Sequence, residues 1–239
     1  MTLTLYGLLG SVALLGGWRI ARAPRPCIRW LIFLFIHCCY RLRLKGLQHI
    51  PSKGAALVVC NHVSFMDALV LGGASPRPLR FLMDRPIYES PWLNWLFRLV
   101  GAIPVESDRR DPGSVRRALE EVSRALRDGE VVMVFPEGRL TPNGEVQTFR
   151  RGLEAILMRD PVPVIPVGLA GLWGSWTSHC GGPALSKRPR RFRARVALHF
   201  GRPVPARLAR RSLLEAQVRA LKAEADSWAC PDAAKASQL

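Results

Sequence analysis

The chain has 239 residues, 49% of them apolar, and carries 35 Lys and Arg against 18 Asp and Glu, a net charge of +17 at pH 7. That length predicts one domain with a substantial core, and the charge calls for an anionic counterpart: anionic lipid, an acidic carrier protein or nucleic acid. Six cysteines form no Cys-x-x-Cys and no zinc spacing with histidine, which points to reduced structural thiols and to no metal site.

Residues 3–18 are apolar apart from Thr4, Ser11 and glycines. As a helix they would measure about 24 Å, short of a hydrocarbon core of roughly 30 Å, so the segment spans without tilt or enters partway. Arg19, Arg22, Arg25 and Arg29 follow at once, and the positive-inside bias keeps the rest of the chain on the cytoplasmic side of a cell inner membrane. Charges after rather than before the apolar run speak against a signal peptide. A second apolar stretch, 30–40, is bounded by Arg29 and by Arg41, Arg43 and Lys45; it is too short to span and reads as an interfacial or re-entrant helix. The expected organisation is a membrane-associated helical segment over 1–43, one domain over 44–229 and a polar tail over 230–239.

The domain reads as α/β, a mixed sheet flanked by helices. Residues 55–60 are a short apolar run between Gly54 and Asn61, which predicts a buried strand with His62 just past its end. Strands are also predicted at 79–83, 131–135 and 163–167. Between them, 92–100 reads as a helix whose Trp92, Trp95, Leu96 and Leu99 form an apolar face. Val115, Ala118, Leu119, Val122, Ala125 and Leu126 recur at helical spacing, with Gly129 as the stop. Residues 193–200 suit a half-exposed edge strand and 211–228 a closing amphipathic helix. Lys187, Arg188, Arg190, Arg191, Arg193 and Arg195 form a run of one sign that would attract anionic lipid.

The chemistry concentrates in two turns. His62 and Asp67 have four residues between them in Asn61-His62-Val63-Ser64-Phe65-Met66-Asp67. A carboxylate bonded to one imidazole nitrogen fixes the tautomer and stabilises the imidazolium, so the pair suits removal of a proton from a substrate hydroxyl. Further on, Phe135-Pro136-Glu137-Gly138 makes a sharp turn at the end of a second buried strand. Open α/β sheets place their catalytic groups at such strand ends. Cys60 reads as a packed core thiol and Ser64 as a local cap on a helix starting near Phe65, not as nucleophiles. No Gly-x-Ser-x-Gly elbow and no phosphate-cradling Gly-x-x-x-x-Gly-Lys loop is present.

With these motifs the chain resembles the glycerophospholipid acyltransferases, the family that includes lysophosphatidate acyltransferase. Residues 61–67, Gly101-Ala102-Ile103-Pro104-Val105, Phe135-Pro136-Glu137-Gly138 and Val164-Ile165-Pro166-Val167 match its four blocks in order and spacing. The resemblance implies His62 as general base and Asp67 as its orienting partner. It implies an acceptor site holding Glu137, Gly138, Arg139 and Pro166, and a glycerolipid acyltransferase fold. It implies no bound cofactor, only an acyl-CoA or acyl carrier protein thioester as co-substrate, with a lysophospholipid acceptor and a membrane as partners and no nucleic acid. Many lysophosphatidate enzymes carry an Arg two residues after the second block's Val; Ser107 stands there, with Arg109 and Arg110 downstream as substrate-binding candidates. The third block usually continues Gly-Thr-Arg, whereas Gly138-Arg139-Leu140-Thr141-Pro142 looks more like the acyltransferase domain of 2-acylglycerophosphoethanolamine acyltransferase. The rival class is a nonenzymatic basic protein that binds membrane or nucleic acid, although aromatic-interleaved basic stretches are absent.

Overall fold

The computed structural model describes residues 24–106, 111, 113–186, 188 and 193–229. The apolar segment 3–18, the candidates Arg109 and Arg110, most of the 187–192 basic run and the polar tail lie outside the described residues. In chain order the elements are α1 (Pro24–Cys39), β1 (Tyr40–Lys45), a 3-10 turn (Leu47–His49), β2 (Ala56–Cys60), α2 (Asp67–Ala74), β3 (Leu79–Asp84), α3 (Arg85–Tyr88) and α4 (Asn94–Leu99). They continue with β4 (Ile103–Val105), α5 (Ser114–Arg127), β5 (Val131–Val134), α6 (Gly152–Arg159), β6 (Val164–Ala170), β7 (Ala194–Phe200), a second 3-10 turn (Ala206–Leu208) and α7 (Arg211–Ala229).

One seven-stranded sheet runs in the order β1-β7-β6-β2-β5-β3-β4. Strands β6, β2, β5, β3 and β4 are mutually parallel, β7 is antiparallel to β6, and β1 is parallel to β7. The sheet is therefore mixed, as expected. Every residue of β2, β5 and β6 is buried. This is why those segments are unbroken apolar runs: each face of a central strand is covered by helices. On one face α1 and α2 pack over Val58, Cys60, Met133 and Ile165. On the other, α5, α6 and α7 cover Leu57, Val59, Val132 and Val134.

Three expectations change. The pattern of 193–200 suits a half-exposed edge, but β7 is interior because β1 adds outside it, with Leu42 opposite Val196 and Leu44 opposite Leu198. Tyr40, Leu42 and Leu44 turn inward while Arg41, Arg43 and Lys45 stay exposed, the period-2 alternation of a strand with one covered face. The boundary placed between 43 and 44 falls inside this strand. In the 92–100 segment, the Trp92, Trp95 face points outward, the two indoles being 85% and 59% exposed.

α1 is also tied to the domain. Ile36 is fully buried, and at Gly73 of α2 an added Cβ would lie 2.5 Å from its Cδ1, so a glycine there permits the close helix crossing. Burying a side chain of that size contributes about 1.5–3 kcal/mol. Among the described residues no helix is long and apolar enough to cross a membrane.

Candidate active site

β2 ends at Cys60, and Asn61 fastens that end to the neighbouring strand. Its side-chain N–H donates to the Leu169 carbonyl at 2.9 Å and its Oδ1 accepts the Leu169 N–H at 2.8 Å. The chain then turns, and α2 begins at Asp67. The turn brings Asp67 back beneath His62, so that His62 Nδ1 lies 2.8 Å from Asp67 Oδ2. The same oxygen accepts the backbone N–H groups of Val63 at 2.7 Å and Ser64 at 2.9 Å.

Asp67 has no solvent exposure, while the His62 side chain is 18% exposed. Burial pushes the Asp67 carboxyl above its usual range, opposed by the bonds from His62, Ser64 and Val63. A carboxylate there favours the tautomer with hydrogen on Nδ1, leaving the Nε2 lone pair available to accept a hydrogen bond. The imidazole stacks on Phe135, with ring centroids 3.9 Å apart and planes inclined by 13°, which holds its orientation from the other side.

The second turn grips the first. After β5, the Glu137 Oε1 accepts the His62 N–H at 3.0 Å and its Oε2 accepts the Gln147 N–H at 3.1 Å. Thr141 N–H donates to the His62 carbonyl at 2.8 Å. Both backbone polar groups of His62 are therefore held by the 137–141 turn. Glu137 is only 2% exposed, and burial raises its carboxyl from the usual 4.5 to about 7. Gly138 adopts φ +66°, and a Cβ there would lie 2.8 Å from Arg150 Nε. Its N–H donates to the Phe135 carbonyl at 3.0 Å, so that amide is not free to serve an oxyanion.

Of the predicted site residues, the fold brings His62, Asp67, Glu137 and Gly138 together at the same sheet edge. Arg139 follows on the exposed side of the turn. Pro166 lies buried inside β6 opposite Val59, and its carbonyl accepts the Gly201 N–H at 2.8 Å; its place is in the sheet, short of the turn that carries His62. Ser64 is fully buried, its Oγ 2.6 Å from Thr177 Oγ1 and accepting the Met66 N–H at 3.1 Å, just ahead of α2. Cys60 is fully buried among apolar neighbours, and that burial raises its thiol well above the usual value.

Sequence reasoning missed the parts that support these turns. Phe135 and Asn61 belong to the matched blocks, but the sequence assigns neither the stacking of Phe135 on His62 nor the bonds of Asn61 to Leu169. Gln147 and Thr177 carried no local signal, being held to the site by bonds across 10 and 113 residues respectively. Among the described residues no group of three or more His, Cys, Asp or Glu could hold a metal ion.

The chain has relatives of known name. Over 137 residues it is 29% identical to a chloroplastic 1-acyl-sn-glycerol-3-phosphate acyltransferase of Arabidopsis thaliana, covering 57% of this chain and 38% of that one. It is 23% identical over 131 residues to the 1-acyl-sn-glycerol-3-phosphate acyltransferase of Bacillus subtilis, covering 54% and 63%. The chain thus spans less than two thirds of the length of these relatives. The crystal structure of the 1-acyl-sn-glycerophosphate acyltransferase PlsC from Thermotoga maritima superposes with a TM-score of 0.66 at 24% identity, over 96% of this chain and 95% of that one, and shares its fold. A family model described as Acyltransferase matches residues 41–170. That match runs from β1 to the end of β6 and takes in both turns with the strands that carry them; the chain belongs to the acyltransferase family.

Proposed function

We propose that the chain transfers a fatty acyl group from an acyl thioester to the free hydroxyl of 1-acylglycerol 3-phosphate, giving phosphatidate, at the cytoplasmic face of a membrane. The observation that carries this reading is the 2.8 Å bond between His62 Nδ1 and a fully buried Asp67, which leaves Nε2 as a base at a strand end. The names of the relatives favour this acceptor. Nε2 takes the acceptor's hydroxyl proton as its oxygen attacks the thioester carbonyl. The tetrahedral intermediate collapses with cleavage of the C–S bond, and the imidazolium returns the proton to the departing thiolate. Asp67 stabilises the charged ring in between. Arg139, and Arg109 and Arg110 downstream of the second block, supply cations suited to the acceptor phosphate. The donor is an acyl-CoA or acyl carrier protein thioester, whose acidic carrier suits the +17 charge.

A second reading takes 2-acylglycerophosphoethanolamine as acceptor, favoured by the Gly138-Arg139-Leu140-Thr141-Pro142 wording. The test is transfer by wild type and His62→Ala, with each lysolipid offered separately against acyl-CoA and acyl carrier protein thioesters. Transfer to lysophosphatidate that falls about 10²- to 10⁴-fold in the variant is expected. Consumption of the ethanolamine lysolipid alone would select the second reading. No transfer by folded wild type in any pairing, with nucleic acid bound in the absence of membrane, would move the chain to the nonenzymatic class.

A further inference from the structure

Surface tryptophan is costly unless something covers it, and this chain exposes two in one short turn. Trp92 and Trp95 are 85% and 59% exposed, with Leu93 between them at 44%. They sit where α4 begins, on a segment whose inner residues Leu96 and Phe97 are already half-buried against the domain. The Trp95 indole N–H donates to the Trp92 carbonyl at 3.0 Å, which fixes the pair side by side. The outer face of α1 is apolar too: Trp30, Phe33 and Leu34 are 62%, 47% and 44% exposed. The two helices meet where Arg25 of α1 donates from Nε to the Leu99 carbonyl at the end of α4, at 3.1 Å.

Basic charge dominates this surface, since Glu89, three residues before Trp92, is paired with Arg85 at 3.6 Å. Neither α1 nor α4 contains an acidic residue. Among the described residues Arg25 and Arg29 bond only to neutral carbonyls, of Leu99 and of Ser75 and Pro76 respectively. Among the described residues neither they nor the exposed Arg98 pairs with a carboxylate. A second copy docked face to face would set arginine against arginine, a like-charge arrangement that opposes self-association. A bilayer with anionic headgroups offers the complementary pattern, phosphates at the level of the arginines and acyl chains beneath. Tryptophan is enriched at that boundary because its ring is apolar and its N–H is polar.

We infer that the Trp92–Leu93–Trp95 turn is a second bilayer anchor, which together with the outer face of α1 seats the domain on an anionic lipid surface. Two anchor points fix orientation where one allows swivel. α2, which begins at Asp67, lies directly beneath α1, so seating this face holds the His62 turn at a set distance from the lipid. The inference goes beyond the proposed function in naming the surface and depends on that reading only in the second part of its test.

The first part uses full-length wild type and Trp92→Phe/Trp95→Phe with phosphatidylcholine–phosphatidylglycerol vesicles carrying bromine on the acyl chains. The bromine-quenched component of the indole emission should be clearly smaller in the double variant than in wild type, the remainder coming from Trp30 on the α1 face. A quenched component of equal size in both proteins overturns the inference, because the emission lost would come from rings outside the lipid. A dimer-to-monomer change in the variant also overturns it, since the face would then belong to a self-contact. The second part measures turnover of Trp92→Ser/Trp95→Ser. It should fall about tenfold or more on vesicle-embedded lysophosphatidate and stay at the wild-type rate with a monomeric short-chain acceptor. Equal loss on both acceptors overturns the inference. If wild type transfers to neither, the proposed function fails while the quenching result still decides the anchor.

Discussion

Glu137→Gln separates two roles that a carboxylate in this turn could have. The resemblance implies that Glu137 binds the acceptor, yet its two oxygens accept the N–H groups of His62 at 3.0 Å and Gln147 at 3.1 Å. Glutamine keeps the shape but offers one acceptor where two are needed, so one N–H must face an amide N–H₂. Losing a charge-assisted bond of this kind costs about 1.5–3 kcal/mol, which allows the His62 turn to shift and corresponds to roughly 10- to 100-fold in kcat. Acceptor KM should stay within about twofold, because no substrate contact is removed. Stability gives an independent measure. Burial raises the folded carboxyl from 4.5 to about 7, so its contribution is fully present below pH 4.5 and is lost as pH rises through 7. That loss amounts to about 3 kcal/mol. Urea unfolding at pH 5, 6, 7 and 8 should therefore show wild type losing ground against Glu137→Gln as pH rises. A gap independent of pH over that range, or a KM that rises while kcat holds, would refute the reasoning.

Asp67→Asn should leave the imidazole with a poorer partner for Nδ1–H and lower kcat about 10²- to 10⁴-fold, with a near-native circular dichroism spectrum as the check on folding. Gly73→Ala places a Cβ 2.5 Å from Ile36 Cδ1 and should destabilise by about 1–3 kcal/mol; the double variant with Ile36→Val should recover part of that loss in urea titrations. Thr177→Val removes the hydroxyl 2.6 Å from Ser64 Oγ. A loss of about 1 kcal/mol in unfolding free energy is expected, and an unchanged midpoint would show that the Ser64 turn does not lean on it.

Local pattern carried much of this protein. The runs at 55–60, 131–135 and 163–167 read as buried strands because a strand covered on both faces has no polar side to show, and α5 read as a helix because Ala118, Val122, Ala125 and Leu126 must share one buried stripe. The placement of His62 and Asp67 followed from the strand end before them and the helix start after. Tertiary structure decided the rest. The alternation of Tyr40, Leu42 and Leu44 with Arg41, Arg43 and Lys45 was present in the sequence. It became a strand only because β7 left an open side for it. The outward turn of Trp92 and Trp95 depended on Leu96 and Phe97 taking the inner positions. The grip of Glu137 on the His62 N–H spans 75 residues. Periodicity reports which face of an element is buried, since that depends on neighbours three or four residues away. Which backbone amide a carboxylate meets across the chain depends on strand order, which no local run of residues encodes.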